Sequence, residues 1–256
     1  MLLESTTLAT AFRYLADSLQ QDYGLDPAPL FQQAGVKLAR TQASGTRLPH
    51  RATRQLWELA IAATGDPAIG LKAGRRIQPE GLHALGYAWM SSRTLADALL
   101  RFARYAKVLV TIPARLDVTT TDSSCQLNAV FPDPAQQPHE AGVDAMLVAL
   151  LTLGGKAAGH PVRPRAVFVQ HPCRTDPSAY TAAFGIPVEF GAPSNGIRFD
   201  SAAARAVLPT DNPDIAAVVD QVAERYVASL QPQPVAATVR DLLRELLPTG
   251  EVGQAT

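Results

Sequence analysis

Apolar residues recur every three or four positions through most of the first hundred residues, which is the period of an amphipathic helix. Leu8, Phe12, Leu15 and Leu19 form the first such stripe. Gly24 follows it and predicts its end, because glycine commonly closes a helix. The same period predicts further helices over 27–31, 49–64, 68–73, 82–90 and 95–107.

Two of these helices carry recognisable start signals. Asp26 precedes a proline-containing first turn, and Thr94 precedes a helix with Asp97 in its first turn. Asp and Thr side chains at this position accept hydrogen bonds from free backbone N–H groups, and proline suits the first turn. We therefore expect helices to begin directly after Asp26 and Thr94.

From Arg115 onward the pattern changes to strict alternation of apolar and polar residues. Residues 115–121 and 125–131 alternate around Asp122-Ser123-Ser124, which predicts a β-hairpin. Strands are predicted at 165–171, 188–190 and 197–199, and helices at 139–158, 177–184, 201–206, 214–230 and 238–247. The fold expected is α+β: an N-terminal helical layer packed on a small, mostly antiparallel sheet, with a C-terminal connector helix.

Charge and cysteine content exclude several classes of protein. Lys+Arg and Asp+Glu are both 23, so the net charge is zero, whereas binding nucleic acid needs a basic excess. Only four of the basic residues are lysines, and we interpret the arginines as mostly structural ion pairs. Two distant cysteines fit a reducing compartment. Neither a signal peptide nor an apolar run of about 18 residues is present, so we expect a cytoplasmic protein without a membrane span.

Motifs for catalysis, for a metal or for a nucleotide cofactor are missing from the sequence. The histidines lack metal-ligand spacing, so we predict no metal, no cofactor and no catalytic residue. Glu140 and Asp144 lie four apart on one helix, and we expect both to be solvated on its polar side. Cys173 follows His171-Pro172, and we interpret it as an ordinary loop cysteine. The chain is therefore not expected to be an enzyme.

Rings and arginines concentrate on the two predicted helices over 82–107. A pocket between these helices, apolar with a polar anchor, would suit a small organic acid. An alternative is that the side chains simply pack the helices against the sheet, and His83 by itself is more typical of a satisfied core histidine. The candidate ligand-binding residues are His83, Tyr87, Trp89, Arg101, Phe102, Arg104 and Tyr105.

An ordered series of short segments resembles a known family. It comprises Arg47-Leu-Pro, Leu56-Trp57-Glu58-Leu59-Ala60, residues 64–71, Gly81-Leu82-His83-Ala84-Leu85-Gly86-Tyr87-Ala88, Ser91-Ser92, Thr94-Leu95, His171-Pro172, Tyr180, Phe184-Gly185, residues 187–193, Asn195 and Phe199-Asp200. In this order, over roughly 24–247, the chain resembles the N-terminal effector-binding domain of AraC-type transcriptional regulators. The branch it resembles is that of the ornithine-utilisation regulators.

The resemblance implies a domain organisation and partners. Residues 1–230 would form an effector-binding and dimerisation domain, with a helical part over about 1–109 and an α+β part over about 110–230. Residues 231–256 would be a linker and connector leading to a C-terminal DNA-binding domain with two helix-turn-helix motifs, which this chain does not contain. A small organic effector, a homodimer and DNA contacted only through that further domain are the expected partners.

Two other classes of protein remain beside this interpretation, and one fold is set aside. The helical sequence does not predict the arabinose-type β-barrel, so sugar-binding residues are not carried over. The chain could instead be a stand-alone dimerisation or partner-binding module without a ligand. A small-molecule enzyme is the remaining class, and it would need a catalytic constellation that the motifs do not supply. The helices over 82–90, 95–107 and 214–230 are the candidates for the pocket and the dimer interface.

Overall fold

A computed structural model describes residues 4–230 of the chain. Its α-helices are α1 (Arg13–Tyr23), α2 (Pro27–Gln33), α3 (His50–Thr64), α4 (Ile69–Arg75), α5 (Ala84–Met90), α6 (Leu95–Leu109), α7 (Glu140–Ala158), α8 (Pro177–Phe184), α9 (Ser201–Arg205) and α10 (Pro213–Ser229). Single 3₁₀ turns lie at Ala9–Phe12, Leu38–Gln42, Pro79–Leu82 and Pro134–Gln136. The predicted linker and connector helix lie outside the described residues.

The strands form one larger sheet and one small ribbon. They are β1 (Thr6–Leu8), β2 (Arg47–Pro49), β3 (Arg115–Thr120), β4 (Ser124–Val130), β5 (Ala166–Val169), β6 (Glu189–Phe190) and β7 (Asn195–Asp200). The sheet has the order β3-β4-β7-β5-β6, and each neighbouring pair is antiparallel except β5 and β6. β1 and β2 pair antiparallel by themselves. The predicted α+β class with a mostly antiparallel sheet is confirmed.

Local signals in the sequence set the ends of several elements. Gly24 adopts φ +67° directly after α1. The Asp26 carboxylate accepts a hydrogen bond from the Ala28 amide at 2.9 Å, and the Thr94 hydroxyl accepts one from the Asp97 amide at 3.1 Å. These contacts satisfy N–H groups that a helix start leaves free. The predicted helix boundaries at these points are confirmed.

The helix predicted over 82–90 is wrong in its first turn. The chain forms a 3₁₀ turn that ends at His83, and α5 begins only at Ala84. His83 has φ +54° and ψ −143°, a conformation that residues with a side chain rarely adopt. The change of chain direction at His83 packs α5 directly on the 3₁₀ turn. A Cβ on Gly86 of α5 would lie 1.9 Å from the Pro79 carbonyl oxygen of that turn. Close packing of backbone on backbone therefore overrides the helical period.

α7 runs through the centre of the molecule between two hydrophobic clusters. One cluster joins the sheet to α5, α6 and α8, and it includes Val143 and Leu147 of α7. The other joins α1, α2, α3 and α4, and it includes Ala141 of α7. By length and composition α7 could also cross a membrane, but most of it is buried in the protein. It is packed as a core helix.

Two glycines allow α4 to lie against α7 at backbone distance. A Cβ on Gly70 would be 2.0 Å from the Ala141 carbonyl oxygen, and one on Gly74 would be 2.5 Å from that of Ala145. Any side chain at these positions would push the two helices apart. α4 therefore fixes the helical layer to the N-terminal half of α7.

Candidate functional site

A cavity of about 150 Å³ lies beside α7, where the two hydrophobic clusters meet. Aromatic rings and aliphatic side chains form nearly all of its wall. Among residues 4–230, no Asp, Glu, Lys or Arg side chain lines it. The lining residues include Phe12, Tyr14, Trp57, Ile77, Leu82, Phe102, Leu109, Val110, Ile112, Phe131, Val143, Met146, Leu150 and Leu153. A concave apolar space of this kind is typical of a small-molecule site.

α7 brings both small and large residues to the cavity wall. Gly142, Ala145 and Ala149 lie three and four residues apart on α7 and line the cavity together. On the opposite wall the Trp57 ring packs against the Phe12 ring, with centroids 5.8 Å apart. The Trp57 ring reaches α7 at Gly142, where a Cβ would lie 3.1 Å from the Trp57 Nε1 atom.

The polar groups of the cavity wall include two imidazoles. The His50 Nε2 atom lies 3.2 Å from the Gln137 carbonyl oxygen, and the His139 Nδ1 atom accepts a hydrogen bond from the Ala141 amide at 3.1 Å. Burial, with a smaller contribution from the nearby Arg54, lowers the pKa of both histidines below the usual value. Both rings are therefore neutral at pH 7, and residues 4–230 bring no formal charge to the cavity wall.

The neutral state of His50 fixes the role of each ring nitrogen. A carbonyl oxygen can only accept, so Nε2 carries the proton that is donated to Gln137. The Nδ1 atom is then an acceptor. It is buried and has no donor among the described residues. A neighbouring hydroxyl, that of Thr53, is already engaged because it donates to the His50 carbonyl oxygen at 2.7 Å.

The predicted ligand-binding residues divide into three groups in the structure. Phe102 lines the cavity, and the buried Trp89 packs edge-on against it with ring centroids 6.4 Å apart. His83 and Tyr87 line a polar cleft of about 540 Å³ at the surface, where the His83 ring stacks on Tyr226 of α10 at 4.4 Å between centroids. Because the His83 Nδ1 atom is buried without a hydrogen-bond partner in the described range, the prediction of a satisfied histidine is wrong.

The third group, Arg101, Arg104 and Tyr105, faces α10 instead of the cavity. Arg101 Nε lies 3.1 Å from Asp220 Oδ1, and Arg104 Nη2 lies 2.6 Å from Glu224 Oε1. The Tyr105 hydroxyl is 3.4 Å from the same glutamate oxygen, and burial raises the pKa of Tyr105 to about 12. The two guanidinium groups are thus paired with carboxylates of α10, as expected for structural arginines.

The expectation that Asp144 is solvated is wrong. This carboxylate is buried beneath the sheet, where His171 Nε2 lies 3.0 Å from Oδ1 and the Tyr180 hydroxyl donates to Oδ2 at 2.9 Å. α7 is apolar around most of its circumference, so its sequence does not define a polar face that would be exposed to solvent. Glu140, one turn earlier, is half-buried and pairs with Arg174.

Similarity to known proteins identifies the family. The family model described as "Arabinose-binding domain of AraC transcription regulator, N-term" matches residues 24–208. The chain belongs to this AraC family. The resemblance of the ordered sequence segments to AraC-type regulators is thereby confirmed, and the relatives are transcription regulators, not enzymes.

Two proteins of Pseudomonas aeruginosa illustrate the similarity. The "Ornithine utilization regulator" is 27% identical over 226 residues, which are 88% of this chain and 66% of that protein. The crystal structure of the transcriptional regulator CdpR superimposes with a TM-score of 0.57 at 16% identity, covering 94% of this chain and 79% of that chain. At this identity the second similarity shows the fold alone.

Sequence reasoning missed most of the cavity wall. Trp57, Met146 and Ile77 come from helices and turns that are far apart in sequence and meet only in the fold. One signal was present: Gly142, Ala145 and Ala149 place small residues along one stripe of α7. Among residues 4–230, no three His, Cys, Asp or Glu side chains cluster closely enough to hold a metal ion.

Proposed function

We propose that this chain is the effector-sensing and dimerising half of a cytoplasmic AraC-type transcription regulator, with the cavity beside α7 as the effector site. The position of the cavity carries the proposal. It lies between two hydrophobic clusters, so a ligand that fills it adds contacts to both. Residues 231–256 would then connect this half to a DNA-binding domain with two helix-turn-helix motifs.

The proposed mechanism is a population shift. A ligand that fits one arrangement of the two clusters better than another favours that arrangement by its difference in affinity. α6 links the cavity to α10, because Phe102 lines the cavity while Arg101 and Arg104 pair with α10. α10 ends at Ser229, directly before the proposed linker.

Arg47 supports the same connection at the other end of α6. Its guanidinium donates to the Val108 carbonyl oxygen of α6 at 2.7 Å and to the Tyr226 hydroxyl of α10 at 3.3 Å. It also donates to the Thr6 hydroxyl at 2.7 Å, which fastens β1 to the same point. A shift of α6 beside the cavity would therefore be transmitted to α10 through several contacts.

The dimerisation part of the proposal rests on α10. Ile215 and Val218 on this helix are 50% and 59% exposed. Exposed branched apolar side chains on one helix are typical of a surface that another chain covers. Because α10 also contacts α6, a dimer formed there would sense the state of the cavity.

Native mass spectrometry of the purified chain tests both parts. We expect a dimer, and after incubation with a cell extract a discrete additional mass. The variant Ala149→Phe, which fills the cavity, should form the same dimer without the additional mass. A monomer would contradict the dimerisation proposal. If the wild type and Ala149→Phe both formed dimers with the same additional mass, the cavity would not be the binding site. A wild-type dimer without any additional mass would favour a dimerisation module without a ligand.

A further inference from the structure

We infer that the effector of this cavity is a small uncharged molecule with a single-ring apolar body and one hydroxyl or N–H donor, the chemistry of a phenol. The inference rests on the proposed function, because it names the ligand class of the same cavity. This ligand class differs from the small organic acid that we predicted from the sequence. It also differs from ornithine, the amino acid in the name of the ornithine utilization regulator.

Size gives the first constraint. The cavity volume of about 150 Å³ matches the handful of apolar protein cavities that hold one benzene ring. It is well below the roughly 300–1,000 Å³ of sites for drug-sized ligands and cofactors. A nucleotide, a disaccharide or a long acyl chain would not fit without opening the contact between the two clusters.

Charge gives the second constraint. Among residues 4–230, no acidic or basic side chain lines the cavity wall, and both imidazoles on it are neutral. An unpaired carboxylate or ammonium group in such surroundings costs several kcal/mol. Ornithine, with three charged groups, is small enough but would find no counter-charge. Arg54 is the nearest cation to His50, and its Nη1 atom already donates to the Gln137 carbonyl oxygen at 2.7 Å.

The third constraint is an acceptor without a donor on the cavity wall, where the Thr53 and Tyr14 hydroxyls already donate to carbonyl oxygens. His50 is 8% exposed, its Nε2 proton faces Gln137, and its Nδ1 lone pair has no donor among the described residues. A buried acceptor without a donor is unfavourable, so a ligand that supplies a donor gains a hydrogen bond. A hydroxyl or N–H at one edge of an apolar ring meets this requirement.

Four probes of similar size separate these features. Titration calorimetry of the purified chain with phenol, toluene, benzoate and ornithine should give the tightest binding for phenol, weaker binding for toluene and none for the two charged molecules. The hydrogen bond to His50 should make phenol bind about five- to tenfold more tightly than toluene. In His50→Phe the two neutral molecules should bind equally.

The Ala149→Phe variant serves as the control for the site, since filling the cavity should abolish binding of phenol and toluene alike. The wild-type order of the four probes tests the inference even if His50→Phe does not fold. Stronger binding of benzoate or ornithine than of phenol would overturn the ligand class while leaving the effector site in place. Phenol binding that survives Ala149→Phe would overturn the site itself.

Discussion

The His171 Nε2 atom lies 3.0 Å from the Asp144 Oδ1 atom, and the two side chains are only 4% and 2% exposed. The other ring nitrogen of His171, Nδ1, lies 2.9 Å from the Pro172 carbonyl oxygen. Both nitrogens therefore face acceptors, and the ring satisfies both only when it carries two protons. Although burial by itself would lower the pKa of His171, the hydrogen bond and charge of Asp144 raise it above its usual value.

This pair predicts how stability depends on pH. Because the pKa of His171 is higher in the folded than in the unfolded chain, its stabilisation is complete below about pH 6.5 and is lost as the pH rises through the folded pKa. The free energy of unfolding of the wild type should exceed that of His171→Gln by more at pH 6 than at pH 9. Urea denaturation across this range measures the difference.

Comparison with a variant is necessary because three other histidines change the stability of the fold with pH in the opposite direction to His171. His50, His83 and His139 have lowered pKa values, so they destabilise the fold as the pH falls through about 6.5. Subtracting the curve of the variant removes their effect. The exposed His160 is the control for the change of residue type, and His160→Gln should change the free energy of unfolding little. A gap between wild type and His171→Gln that stays constant from pH 6 to 9 would show that the ring does not titrate against Asp144.

Local sequence signals predicted the parts of this fold that depend on neighbours in the chain. Gly24, Asp26 and Thr94 each act within one helical turn, and the hairpin over 115–131 depends on a single turn. Such contacts leave a trace in a short window of sequence. For that reason the helix ends and the fold class could be predicted without the structure.

The buried polar cluster and the cavity could not be predicted in this way. Asp144 receives its partners from residues 27 and 36 positions further along the chain, and no helical period records them. Arg101 and Phe102 are adjacent in sequence but face different neighbours, one paired with α10 and the other lining the cavity. Composition alone placed both in one pocket, because it cannot show which side of α6 each helix covers.

The ion pair of Arg101 and Asp220 should hold α10 to α6. Arg101 Nε and Nη2 both contact the carboxylate, and each side chain is 23% exposed. We expect a double-mutant cycle of Arg101→Ala and Asp220→Ala, measured by urea denaturation, to give a coupling energy of about 1–2 kcal/mol. Arg225→Ala, at an exposed position of the same helix, is the matched control and should change stability little. A coupling energy close to zero would mean that this ion pair does not hold α10 to α6.

Substitution of Gly70 should separate α4 from α7. In Gly70→Ala the new methyl group would meet the Ala141 carbonyl at 2.0 Å, and backbone on both sides leaves little room to move. Forced overpacking of this kind costs about 1–3 kcal/mol, which thermal unfolding would detect as a lower Tm. Gly155→Ala in α7 is the control, since its methyl group would lie 3.4 Å from the nearest atom and alanine favours the helix. Equal Tm values for the two variants would contradict the close approach of α4 and α7.

The backbone of His83 predicts an unusual order of stability between two variants. Its φ of +54° with ψ of −143° is disfavoured for every residue with a Cβ, at a cost of about 1–3 kcal/mol. His83→Gly and His83→Ala both lose the ring contact with Tyr226, but only glycine relieves the strain. After allowance for the greater freedom of glycine in the unfolded chain, we expect His83→Gly to be the more stable by about 1 kcal/mol in urea denaturation.

A second pair of variants shows whether this order is special to the turn. At Arg225, inside the helix α10 and exposed, alanine should be more stable than glycine by about 1 kcal/mol, because glycine is a poor helix former. The two sites should therefore rank the same two residues in opposite directions. If alanine were preferred at both, His83 would carry no strain, and the break between the Pro79–Leu82 turn and α5 would need another cause. The reversed ranking would instead show that the backbone at His83, at the edge of the cleft beside α10, is strained.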